Sequence, residues 1–119
     1  MGKFDSATLQ NRFKNWCYNC LDVINNTANI TSDEYRIIVK QLIRSATSAH
    51  INYKSVTRLK SKADMINKLK IVEEETDESI GWLEMIQDRH KINTIDIQIE
   101  GTELLKIIVS SINTLKRLQ

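Results

Sequence analysis

Apolar residues recur at spacings of three and four in four separate stretches of the chain, which is the pattern of one buried helix face. In the first stretch, Leu9, Phe13, Trp16, Cys20 and Ile24 predict a helix over about residues 6–27. Asn25-Asn26-Thr27-Ala28-Asn29 ends it, because short polar side chains compete for backbone hydrogen bonds. The second stretch carries Tyr35, Ile38, Leu42, Ala46, Ala49, Tyr53 and Val56 and predicts a helix over about 32–59. Its start is Thr31-Ser32-Asp33-Glu34, where Thr31 and Glu34 have capping-box spacing and the acids complement the helix dipole. The third, over about 62–89, starts at Ser61 as cap with Asp64 three residues on, and its face is Met65, Leu69, Val72, Thr76, Leu83 and Ile86. After His90-Lys91-Ile92-Asn93, Thr94 is the predicted cap of a fourth helix over about 95–118, where Ile97, Leu104, Ile108, Ser111, Leu115 and Leu118 align. Gly101 falls on that face, which implies a close crossing with another helix. The alternation Ile92, Ile95, Ile97, Ile99 imitates a strand but has no second strand to pair with. Four long helices with short loops predict an all-α, antiparallel up-down four-helix bundle, one domain over 1–119.

Composition agrees with this. The chain has 119 residues, enough for a single core, and no proline, which favours long uninterrupted helices. No apolar run approaches the ~20 residues of a membrane span, and the amino terminus has no apolar stretch of secretory type, so a cytoplasmic protein with no membrane partner is expected. Met1-Gly2-Lys3-Phe4-Asp5-Ser6 matches the loose myristoylation pattern M-G-x-x-x-[ST], although glycine after methionine is common. Cys17 and Cys20 have the spacing of a redox pair, but such a pair opens a helix after a strand. Here both lie in mid-helix on the face of Phe13, Trp16 and Ile24, so buried core thiols are expected. A zinc site would need two more soft ligands, and His50 and His90 are the only histidines, so no metal or cofactor is expected. There is no glycine-rich phosphate loop, H-E-x-x-H or G-x-S-x-G. The residues three before the histidines are Thr47 and Gln87, which excludes the Glu-x-x-His pattern of di-iron bundles. The expectation is that the chain is not an enzyme.

Charge is where the sequence departs from an ordinary soluble bundle. Net charge is only +2, yet Arg36–Lys70 holds nine bases against Asp64 alone, and Glu73–Asp88 holds seven acids and no base. An antiparallel hairpin turning near Lys60 sets Arg36 near Glu84, and Arg44 near Asp77 and Glu78. Left without acids are Lys54, Arg58, Lys60, Lys62, Lys68 and Lys70, the candidate nucleic-acid-binding residues. Arg58 and Lys60 would suit the carboxyl end of helix two. The basic half of helix three is its amino-terminal half, so its charge order opposes its own dipole and does not serve helix stability. The competing reading is a solvated face that keeps the protein soluble. Beside the core face of helix two runs a seam of small polar residues, Ser45, Ser48, Asn52 and Ser55, which permits close approach within the bundle or against another subunit.

Arg44-Ser45-Ala46-Thr47-Ser48-Ala49-His50-Ile51-Asn52-Tyr53 resembles the R-S-x-T-S-[IV]-G-A-N-[YI] signature of small bacterial four-helix-bundle proteins encoded by intervening sequences in large-subunit ribosomal RNA genes. Ser61-Lys62-Ala63-Asp64-Met65 resembles that family's S-K-x-[DE]-F, and Glu78 through Ile86, with Trp82-Leu83-Glu84, its E-T-x-x-W-L-E-L-L segment. The accessory variability determinant of diversity-generating retroelements is similar to this family. The resemblance implies a homo-oligomer, commonly a pentamer, with a basic surface for RNA or DNA and no enzymatic activity. For the retroelement relatives it also implies a reverse transcriptase as partner. The chain departs from the pattern at His50, where the family has glycine, and at Ser55, where a glutamate is usual. Two functions of different class therefore stand: a nucleic-acid-binding accessory protein, and a protein–protein scaffold on which the same lysines only solvate.

Overall fold

The computed structural model describes residues 6–118 and consists of α1 (Ser6–Asn26), α2 (Asp33–Val56), α3 (Lys62–His90) and α4 (Ile95–Arg117). Residues 1–5 of the amino-terminal M-G-x-x-x-[ST] match lie outside the described residues. The helices run up and down in turn, α2 and α3 sharing the largest interface and α1 and α4 the smallest, in an elongated bundle of 50 × 21 × 19 Å. No strand occurs among the described residues, and Ile95–Ile99 is the first turn of α4.

The core is the set of faces marked by the three-four spacing. Leu9, Phe13, Trp16 and Cys20 of α1 meet Tyr35, Ile38, Leu42, Ala46, Ala49, Tyr53 and Val56 of α2, with Leu83 and Ile86 of α3 and Leu104 and Ile108 of α4 closing the other side. Phe13 stacks on Tyr53 with ring centroids 5.1 Å apart and meets Trp16 edge-on at 6.3 Å. Gly101 is buried, as the crossing it implied requires: a β-carbon there would sit 3.0 Å from Ile80 Cγ1 and 3.1 Å from Trp16 Nε1. The Trp16 indole is held close to α4 because its N–H donates to the Ile97 carbonyl, one turn before Gly101, at 3.1 Å.

The helix ends differ from the sequence reading in informative ways. Ser61 caps α3 as predicted, accepting from the Asp64 N–H at 3.3 Å. At α2 the cap is Ser32, which accepts from the Tyr35 N–H at 3.1 Å, so the Thr31–Glu34 box does not form. Thr94 stands at the head of α4 but does not cap it. Its buried hydroxyl donates instead to the Leu83 carbonyl at 2.8 Å and accepts from Gln98 Nε2 at 2.9 Å, joining α4 to α3. Asn93 Oδ1 takes the Ile95 N–H at 3.0 Å. Helix α2 stops at Val56, three residues short of the predicted Leu59. Thr57 turns its hydroxyl onto the Lys54 carbonyl, and the Arg58 and Leu59 N–H groups fold back three residues to Ser55 and Val56. Leu118, predicted on the apolar face of helix four, is 53% exposed just past the end of α4.

Candidate nucleic-acid interface

Up-down topology brings the first turns of α1, the end of α2, the start of α3 and the end of α4 to one end of the bundle. The Gln10–Thr57 hydrogen bond at 3.5 Å fixes α1 beside the α2–α3 turn. Lys54 lies in the last turn of α2, Arg58 and Lys60 in the connection, and Lys62 opens α3. Arg117 closes α4 at the same end. Lys54, Arg58, Lys60 and Lys70 are exposed, and Lys62 and Lys68 are half-buried.

None of these six predicted cations forms an ion pair among the described residues, whereas several arginines elsewhere do. Arg44 reaches across to Glu75 at 3.0 Å and to Glu78, close to the predicted register. Arg36 does not meet Glu84; it pairs with Asp33 one turn back on its own helix. Arg89 binds Glu34 at 2.8 Å, which holds the Glu34 carboxyl below its usual range. Arg12 grips Glu100 through two bonds of 2.7 and 3.0 Å, tying α1 to α4 and raising its own pKa. With these bases paired, positive charge is left concentrated at the turn end, with Asp64 the nearest acid in sequence.

The six do not form one flat patch. Arg58 lies beyond the end of α2, so it does not continue the Lys54 face by helical geometry. Lys68 and Lys70 are two residues apart on α3 and so about 200° apart around it. One is half-buried and the other exposed, on different sides of the helix. The structure adds Lys14, which sequence reading passed over. The Gln10–Thr57 and Thr27–Tyr35 contacts set the α1–α2 register, and in that register Lys14 lies beside His50 and Lys54.

The small-residue seam also divides. Ser45 is fully buried, its hydroxyl 2.6 Å from that of Ser79, so it serves the α2–α3 packing and is not an intersubunit contact. Ser48, Asn52 and Ser55 are half-buried, and all three bond within α2: Asn52 Nδ2 donates to the Ser48 carbonyl and hydroxyl, both at 2.9 Å, and Ser55 to the Ile51 carbonyl at 3.2 Å.

Cys17 and Cys20 are buried and unbonded, and burial pushes both thiols up, away from the reactive thiolate. No group of three or more His, Cys, Asp or Glu is placed to hold a metal ion among the described residues. No helix of the described residues is long and apolar enough to cross a membrane.

No family model matches the chain, and no curated protein matches it. Among solved structures it is similar to a protein with unknown function from the S23 ribosomal protein family of Bacteroides thetaiotaomicron. That structure superposes with a TM-score of 0.76 at 25% identity, over 87% of this chain and 97% of the other. The likeness extends over most of both chains.

Proposed function

We propose that this chain is a non-enzymatic accessory protein that binds RNA or DNA at the basic end of the bundle, works as a homo-oligomer and presents the nucleic acid to a partner enzyme. One observation carries the reading: the six cations at the α2–α3 end of the bundle form no ion pair among the described residues, while Arg12, Arg36, Arg44 and Arg89 are paired. Unpaired lysines around a helical turn meet phosphates by charge rather than by base-edge geometry, so the binding is sequence-tolerant and salt-sensitive. The resemblance noted in the sequence extends this to a ring of five subunits and a reverse transcriptase as the partner. A ring would repeat the basic end around its axis and multiply a weak contact.

Replacing Lys54, Arg58 and Lys62 with glutamine tests the reading. The helical circular dichroism stays, affinity falls alike for all sequences, and the slope of log affinity against log salt flattens by about one per lost phosphate contact. Glutamine at Arg36 and Arg44, both already paired with acids, leaves binding in place. An unchanged salt slope in the triple variant, or loss of binding only in the arginine control, would overturn it. Light scattering that returned a 13.8 kDa particle across micromolar concentrations would remove the oligomer from the proposal.

A second reading, the protein–protein scaffold, is favoured by a specific surface. Ile37 and Ile51 lie two turns either side of Arg44 on α2, and Ile71 and Met85 two turns either side of Glu78 on α3, with the Arg44–Glu78 pair between them. These four apolar side chains are 61%, 55%, 42% and 44% exposed. Binding of a protein partner that survives high salt, with no oligonucleotide binding at low salt, would select this reading.

A further inference from the structure

The groove between α1 and α2 holds a second set of groups that the six-cation cluster does not include. His50 and Lys54 are four apart on α2 and share a face, and the α1–α2 register brings Lys14 against them. Tyr18, one turn from Lys14 on the same face of α1, is 52% exposed, and no other ring packs on it among the described residues. We propose that this groove seats one nucleotide of a single-stranded nucleic acid, its phosphate between Lys14, His50 and Lys54 and an adjacent base laid on Tyr18. The proposal rests on the reading that the basic end binds nucleic acid, and it names the strand form bound there.

The state of His50 supports the assignment. Its Nδ1 is sealed from solvent and has no hydrogen-bond partner. That leaves Nε2 as the ring nitrogen from which His50 can donate to an anion. Burial first, then the Lys54 and Lys14 ammonium groups, hold its pKa below the ordinary value of 6.5. The charged groups facing His50 are Lys54 on its own helix and Lys14 on α1; no carboxylate acts on it, and Arg12 on α1 is turned away to Glu100 on α4. A phosphate supplies the missing negative charge. It favours the imidazolium, so binding takes up a proton and tightens as pH falls below the ordinary histidine range. The stacking surface selects unpaired strands, because a duplex keeps its bases stacked on one another while a single strand can lay one on an exposed ring.

The test uses the full chain and a short labelled single-stranded oligonucleotide of mixed sequence, with a duplex of the same length beside it. Anisotropy is followed from about pH 8 to about pH 5.5 at constant ionic strength. Wild-type affinity for the single strand rises towards low pH and that of His50→Gln stays flat. Lys14→Gln flattens the salt slope by about one. Tyr18→Leu weakens the single strand by about tenfold and leaves the duplex unchanged. Nuclear magnetic resonance supplies an internal control: the His50 imidazole titrates at higher pH once the oligonucleotide is added, and His90, at the opposite end of the bundle, does not move. If binding responds to Arg58→Gln and Lys62→Gln at the turn while His50 resonances and Lys14→Gln stay silent, the groove assignment is wrong and the basic-end reading stands. Equal loss of single strand and duplex in Tyr18→Leu overturns the stacking. No oligonucleotide binding at low salt overturns both.

Discussion

Two glycines inside helices give a matched pair whose energetics can be worked from the structure. A β-carbon at Gly81 of α3 would meet nothing within 4 Å, so Gly81→Ala gains helix propensity alone, about 1 kcal/mol. Gly101→Ala gains the same propensity, but its β-carbon would lie 3.0 Å from Ile80 Cγ1, 3.1 Å from Trp16 Nε1 and 3.3 Å from Trp16 Cε2. Ile80 is half-buried and can rotate its γ-carbon aside. The Trp16 ring cannot follow, because its N–H is bonded to the Ile97 carbonyl and Phe13 packs on it. Overpacking of this kind costs about 1–3 kcal/mol, which exceeds the propensity gain, so Gly101→Ala is net destabilising by about 0–2 kcal/mol. The two alanines therefore separate by about 1–3 kcal/mol, and each kcal/mol moves Tm by about 4 °C in a chain of this size. Urea unfolding followed by circular dichroism and tryptophan fluorescence measures both, with m unchanged. Phenylalanine at position 16 removes the indole edge, so in a double-mutant cycle Trp16→Phe should recover part of the Gly101→Ala loss. If Gly101→Ala stabilises as much as Gly81→Ala does, the tight α1–α4 crossing is wrong.

Two further outcomes follow from buried polar groups. Thr94→Val keeps the shape but removes the hydroxyl between the Leu83 carbonyl and Gln98, and should lower stability by about 1–2 kcal/mol at constant m in urea. Because the folded protein depresses the His50 pKa below 6.5, the unfolded chain binds more protons there as pH falls. The stability tied to a neutral His50 is present above about pH 6.5 and lost below it, and His50→Gln should flatten that part of the stability–pH profile.

Helix periodicity is a local property, and the sequence by itself determined whatever depends on it. Leu9, Phe13, Trp16, Tyr35, Ile38, Leu42, Leu83 and Leu104 repeat at three and four because a helix turns by 3.6 residues, and they are the buried residues of the bundle. The Ser61 cap and the Gly101 crossing were legible for the same reason, since a cap acts within three residues and a bare helix position marks close approach. The sign of the charge at the α2–α3 turn was equally plain. Which charges are spent on partners was decided only by tertiary structure. Arg12 meets Glu100 and Arg89 meets Glu34 across long stretches of chain, and neither pair has a local signature. Lys14 and Tyr18 stand on α1, more than thirty residues before His50, and nothing in their spacing points to α2. Ser45 is a core residue rather than a surface contact because α3 brings Ser79 onto it. Arg58 leaves the Lys54 face because α2 ends at Val56 and the chain turns there, the Arg58 and Leu59 N–H groups bonding three residues back. Spacing along a helix states which side chains share a face. The register between helices, set by how side chains interdigitate across the core, states which faces meet.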